Sequence, residues 1–267
     1  KLISVFSDIF WLETVIHQKW INYLSADGWK PIDTTISLSS DGTVFEMRTA
    51  PFEAEFPLRS TGTAKMINNN RWDITKKMLL TDDPLIMTII PEDIADVAGR
   101  AERGDLYTAT GLHKNVSYVV YPNAYPEGDL IYYIDYGQAP RLQKLIRINR
   151  VPTKLDYSFL ISADGATATR GKYLTFTKGE RGIGFKDFLI WDSFIPEDQE
   201  LRNIQQVDVT FTETASSTYR LTKTLTQTFF DANPVYPVYT DTTSTFYPDP
   251  NVESTSVDGY AQRTAGT

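Results

Sequence analysis

The chain has 267 residues, 41% of them hydrophobic and 13% aromatic, enough apolar matter for one large core or two small ones. Its formal net charge is -8, from 34 acidic and 26 basic residues with no Lys/Arg stripe, so a phosphate backbone meets net repulsion and nucleic acid is not expected as a partner. There is no cysteine, which excludes disulfides, thiolate catalysis and Cys-ligated zinc while leaving the redox compartment open.

In residues 1–22, Leu2, Val5, Phe6, Ile9, Leu12 and Ile16 recur at roughly helical spacing, which predicts a short amphipathic helix or hydrophobic arm. Asp8 and Glu13 interrupt "LISVFSDIFWLETVI", so no transmembrane segment is predicted. With Lys1 as its only basic residue at the start, the segment lacks the pattern of a secretory signal, and localisation is not legible from this end.

From Tyr23 the pattern changes. "YLSADGWKPIDTTISL" carries Asp27-Gly28 between runs rich in aromatic and β-branched residues, the signature of a hairpin with a primed turn. Trp29 and Ile32 are expected as core anchors, and Asp33, Thr34 and Thr35 as partners for turn or edge backbone groups. Strand-like runs follow: "TVFEMR", "NVSYVVY", "LIYYIDY", "KLIRINRV", "YSFLIS", "KYLTFT" and "FKDFLIW". In "VDVTFT", Val207, Val209 and Phe211 point one way while Asp208, Thr210 and Thr212 point the other; in "YRLTKTL", Tyr219, Leu221 and Leu225 share a face. Asp41-Gly42, Glu127-Gly128, Asp164-Gly165 and Lys178-Gly179 mark turns. "PEDIADVAGRAERGD" reads as a helix or as a strand and loop, and "NNNR", Asn68 to Arg71, as a loop tip.

Many short strands with few helical stretches predict an all-β fold, an antiparallel β-sandwich of one large or two small packed units over residues 23–240. Residues 241–267, beginning in "TDTTSTFYPDP" and turning to Thr, Ser, Asp, Gly and Pro, read as an extended tail or linker to a following module.

Chemistry-bearing motifs are sparse. His17 and His113 belong to no metal pattern, and each reads as an ordinary surface or strand histidine. No nucleophile elbow, Walker loop or dinucleotide fingerprint occurs. "GERGIGF" reads as a hairpin turn with Gly182 and Gly184 in glycine-specific dihedrals. "TDTTS", "PEDIAD" and "DGYAQR" place acidic oxygens in expected loops without a calcium-loop spacing, and "NVS" at Asn115 falls within a strand pattern. No catalytic, cofactor-binding or metal-binding residue is therefore assigned. Glycoside hydrolysis, which needs only two carboxylates beside a cleft, stays open among 34 acidic residues.

Two motifs together carry a resemblance. "LSADGWKPIDTTI" resembles the aromatic hairpin of large bacterial cell-surface proteins of the Rhs and wall-associated type and of phage-associated surface proteins. "NPVYPVYTDTTSTFYPD" is similar to the strand that closes a β domain in such proteins; Tyr236, Pro237, Val238 and Asp241 fit that pattern, while Thr242 stands where a proline is usual. The resemblance implies an exported or virion-exposed β module, joined to other modules, with no catalytic residues. The expected function is a non-catalytic structural subunit of a virion or extracellular surface assembly, self-associating or binding other structural proteins. Phe6, Ile9, Phe10, Trp11, Phe246 and Tyr247 are the candidate interface, because an arm and tail that cannot hide such side chains need a neighbour to cover them. The alternatives are a carbohydrate-binding or adhesin module, with glycans as partners, and a glycoside hydrolase.

Overall fold

A computed structural model describes residues 22–25, 28–48, 52–68, 71–73, 78–80, 84–136, 140–170, 173–179, 181–186, 188–196 and 203–247. The period-two segments form the strands of two packed antiparallel sheets, so the all-β sandwich expectation holds. Strands β1 (Asn22–Ser25) and β2 (Gly28–Pro31) make the first hairpin. Its register pairs Ser25 with Gly28, so the connecting pair is residues 26 and 27, one position ahead of the expected Asp27-Gly28. Just beyond it, Ile32 packs against the core and Asp33 accepts a hydrogen bond from the Thr35 amide at 2.9 Å, as the motif suggested.

The smaller, eight-stranded sheet begins with β3 (Ser37–Leu38), β4 (Val44–Met47), β5 (Phe52–Pro57) and β6 (Ala64–Asn68). A separate pair, β7 (Arg71–Asp73) and β8 (Met78–Leu80), precedes β9 (Leu85–Pro91). The chain then crosses to the larger sheet for a four-strand meander: β10 (Arg100–Thr108), β11 (Gly111–Tyr125), β12 (Gly128–Tyr136) and β13 (Pro140–Ile148). "PEDIADVAGRAERGD" thus resolves as strand and loop. Strand β14 (Asp156–Ala163) returns to the smaller sheet, and the Asp164-Gly165 turn, with Gly165 at φ +67, sends the chain back to the larger one. There it forms β15 (Thr167–Arg170), β16 (Leu174–Lys178), β17 (Arg181–Lys186), β18 (Leu189–Trp191) and β19 (Ile204–Gln206). Strands β20 (Asp208–Ala215) and β21 (Thr218–Thr224) complete the smaller sheet, followed by a five-residue helix, α1 (Gln227–Asp231), and β22 (Val238–Tyr247).

The smaller sheet runs β20-β21-β14-β9-β6-β5-β4-β3, and the larger, ten-stranded one β10-β11-β12-β13-β22-β17-β16-β15, with β18 attached to β22 and β19 to β18. Residues 241–247 of the expected tail therefore belong to a strand held between neighbours on both sides. Its threonines misled the reading, because a Thr-rich run resembles a linker in composition while being β-branched and suited to a sheet. Just before them in the same strand, the buried Thr240 hydroxyl donates to the Leu189 carbonyl at 2.9 Å. Residues 248–267, like Phe6, Ile9, Phe10 and Trp11, lie outside the described residues.

Between the sheets sits one continuous apolar core, crossed by aromatic pairs from opposite layers: Phe56 with Tyr132, Tyr125 with Tyr157, and Phe176 with Tyr219. The Tyr121 hydroxyl donates across the same gap to the Pro57 carbonyl at 2.6 Å. The patterns of β20 and β21 are as expected, except that Lys223 joins Tyr219, Leu221 and Leu225 on the buried face. Two other expectations are corrected. Gly182 and Gly184 lie in extended β17, paired to Thr177 and Thr175, and the left-handed glycine of that hairpin is Gly179 at φ +60. Asn68 ends β6 fully buried rather than tipping a loop, since its position continues the inward alternation of Ala64 and Met66.

The two outer faces differ. On the smaller sheet Arg48 bridges Glu46, Glu53 and Glu55, and Lys65 reaches Glu55, an exposed ion-pair lattice. On the larger sheet the outward residues Tyr118, Val120, Ile131, Tyr133, Leu145 and Tyr239 are buried in a second apolar cluster with Leu106 and Trp191. "LIYYIDY" is apolar on both faces because both faces are covered.

Candidate functional site

Strand β18 extends the larger sheet beside β22 and turns an aromatic side chain onto its outer face. It pairs with the beginning of β22, Ile190 opposite Thr240 and Trp191 opposite Tyr239, so that Ile190 faces the main core while Trp191 faces outward. The Trp191 ring stacks on Tyr239 at 6.0 Å and 14°, and its Nε1 donates to the Tyr107 carbonyl at 3.3 Å, tying β18 to β10. Tyr107 in turn lies 6.0 Å from Tyr239.

This aromatic ledge leaves a gap beside it. A pocket of about 230 Å³ opens between the β10–β11 hairpin and β18, with the outer face of the larger sheet as its floor. Strand alternation supplies that floor: Tyr133 and Asp135 from β12, Arg141 and Gln143 from β13, and Asp241 from β22. The register sets Tyr133 opposite Gln143 and Asp135 opposite Arg141. Leu189 and Trp191 form one wall; Thr108, Ala109, Thr110 and His113 form the other.

Several of these groups have fixed partners. The Lys144 amide donates to Asp241 Oδ1 at 3.3 Å, the Thr108 hydroxyl donates to the Gly111 carbonyl at 2.9 Å, and His113 Nε2 lies 3.1 Å from Thr110 Oγ1. Two donors also line it. Tyr133, 2% exposed, contributes its phenol. Arg141 Nε is buried and has no hydrogen-bond partner among the described residues. Burial pushes the Tyr133 phenol well above its ordinary range, the Asp241 and Asp135 charges add to that shift, and Arg141 opposes it. The phenol is thus a neutral donor surrounded by the pocket's charged groups.

Beyond β18 the chain makes an apolar knuckle. Asp192, 4% exposed, accepts hydrogen bonds from the amides of Phe194 at 3.1 Å and Val235 at 3.0 Å and from Asn203 Nδ2 at 3.2 Å. Ser193 donates to the Val235 carbonyl through both its amide and its hydroxyl. These bonds clamp two loops together while leaving Phe194 48%, Ile195 36% and Val235 49% exposed.

No described side chain tests the expected interface. Phe6, Ile9, Phe10 and Trp11 are outside the described residues, and Phe246 and Tyr247 have their backbones paired to Ile183 and Gly182. His113 is a strand histidine, as expected, although it also lines the pocket. Of the segments scanned for calcium, "TDTTS" is strand, and in "PEDIAD" Asp93 pairs with Lys154 at 2.8 Å and Asp96 with Arg59 at 2.7 Å. Asn115 lies within β11 at φ +56. Sequence reading missed Asp135, Arg141 and Gln143. Their one signal was polarity at alternate outward positions within otherwise apolar runs, "LIYYIDY" and "RLQKLIRI". The chain matches no protein-family model, no curated protein and no solved structure.

Proposed function

We propose that the chain is a non-catalytic structural module of a virion or extracellular surface assembly, joined to neighbouring subunits through the apolar knuckle and its sheet edges. The observation that carries this reading is the knuckle itself. Three large apolar side chains stand in solvent on loops made rigid by a buried carboxylate, and a preordered apolar surface loses little conformational freedom when a partner covers it. Strand β20 adds an edge of eight residues, Asp208–Ala215, paired to β21 alone among the described residues, and open edges accept strands from other chains. The surface-protein motifs of the sequence point in the same direction.

The test is the association state of the full chain. Sedimentation equilibrium should show self-association, or association with a neighbouring structural protein of the same particle or surface. That association should weaken by about ten-fold or more in the double variant F194S/I195S, whose exposed positions leave the fold intact by circular dichroism. A chain that stays monomeric and unbound to those neighbours, or whose association is indifferent to the double substitution, overturns the reading.

A further inference from the structure

We infer that the outer-face pocket is a binding site for one ring of a neutral polyhydroxylated ligand, a saccharide unit. Such binding does not depend on how the chain associates. About 230 Å³ is room for roughly eight waters and lies below the volume of pockets that take drug-sized ligands, so the occupant is a single small ring.

Charge then narrows the chemistry. A simple anion attracted to Arg141 meets the carboxylates of Asp135 and Asp241, and a simple cation attracted to those carboxylates meets the guanidinium. A hydroxyl group satisfies both kinds of neighbour, because it donates to a carboxylate and accepts from a guanidinium or phenol. Several hydroxyls on one ring match a floor in which donors and acceptors alternate along two adjacent strands. Leu189 and Trp191 give an apolar wall for the C–H face of such a ring.

A buried donor without a partner makes this a site and not merely a crevice. Arg141 Nε is buried with no hydrogen-bond partner among the described residues, and the Tyr133 phenol lines the same pocket. Buried donors ordinarily find acceptors, and a ligand's hydroxyl oxygens would complete Arg141 while accepting from Tyr133. The loops that shape the walls are anchored by Trp191 Nε1 on Tyr107, so the pocket exists before any ligand enters.

The experiment is a titration of the intact chain, followed by amide and side-chain NMR, with methyl glycosides of the common neutral hexoses, hexosamine N-acetates and deoxyhexoses. Acetate and methylammonium serve as ion controls, and an array of neutral oligosaccharides covers longer chains. At least one glycoside should shift the Tyr133, His113 and Trp191 side-chain signals saturably. Y133F, which removes only the phenol oxygen, and R141M should each weaken that binding by about ten-fold. R48M, on the opposite outer face, should leave it unchanged. A panel and array without binding, binding that survives both pocket substitutions, or saturation of these signals by acetate or methylammonium alone would overturn the inference.

Discussion

Two lysines point into the sandwich interior, and replacing one of them should stabilise the protein. Lys144 on β13 places Nζ 3.4 Å from the centroid of the Phe159 ring, and Lys223 on β21 places its Nζ 3.3 Å from Thr240 Oγ1. Both are essentially without solvent exposure. Burial pushes the Lys223 ammonium down to about 7, partly opposed by Asp241, and pushes Lys144 well below its usual range with help from the Lys223 charge. A drop from 10.5 to about 7 corresponds, at about 1.36 kcal/mol per pH unit, to a cost on the order of 5 kcal/mol at neutral pH. K223M keeps the aliphatic stem and removes the amine. It loses one weak hydrogen bond worth about 1 kcal/mol, while Thr240 keeps its bond to the Leu189 carbonyl. The expected gain is on the order of 3 kcal/mol at pH 7, a rise of about 1 M in the urea midpoint read by tryptophan fluorescence.

The pH dependence carries the sign. Between the native value near 7 and the unfolded value of 10.5, the unfolded chain holds a proton that the native chain has released, so this group makes wild-type stability rise with pH. The advantage of K223M should therefore be largest at and below about pH 7 and shrink steadily towards pH 10. Comparing variant with wild type at each pH cancels the titration of every other group. A variant less stable than wild type at pH 7, or an advantage constant from about pH 7 to pH 10, would refute the account, because either result means that the native amine is charged and adequately solvated.

Two further outcomes test other parts of the fold. In Gly128→Ala the new Cβ would lie 1.9 Å from the Arg147 carbonyl oxygen, so the start of β12 must separate from β13; urea denaturation should show a loss of about 3 kcal/mol or more. Asp41, in the β3–β4 turn, is held at about 2 by hydrogen bonds from the Ser39 and Thr43 side chains and the Thr43 amide, so its stabilising effect is complete above about 4 and is lost as pH falls through about 2. An NMR titration of its carboxyl should find that low midpoint in the wild type and a rise towards 3.8 in S39A.

The sequence made strands legible where one face is wet. In β20 and β21 every other residue is polar, so period and burial coincide. Turn glycines were legible for a local reason too: Gly42, Gly165 and Gly179 adopt positive φ next to strand ends, and the signal lies within a few residues. What escaped was set by distant parts of the chain. Nothing within β22 announces that it lies between β13 and β17, and a Thr-rich run has the same composition whether solvated or paired. Lys223 sits at an inward position of a well-read strand, but a lysine there looks like an edge or surface residue until Thr240 and Asp241 arrive from another element. The pocket residues escaped for the same reason. Asp135 and Arg141 are opposite one another only through the β12–β13 register, and they face a pocket only because Leu189 and Trp191 of β18 wall one side of it.

Strand β18 links the pocket and the apolar knuckle. A two-layer sandwich needs one buried face per sheet, and the smaller sheet obeys this with its exposed ion pairs. The larger sheet presents Tyr118, Val120, Ile131, Tyr133 and Leu145 outward as well, an apolar area that water would penalise were it not packed with Leu106, Trp191 and Tyr239 in the second cluster. Strand β18 belongs to the same sheet, pairing with Tyr239 and Thr240, whereas β17 takes the same edge of β22 from Thr243 onward. From there Trp191 turns onto the outer face, and its Nε1 reaches the Tyr107 carbonyl of β10. The pocket opens beside Trp191, and β18 gives way at Asp192 to the loop whose buried carboxylate accepts the Phe194 amide and leaves Phe194 and Ile195 in solvent. Shortening or detaching β18 should consequently disturb both features at once, and it should also loosen the core between the sheets locally, at Ile190, while leaving the cross-layer aromatic pairs, which involve none of its residues.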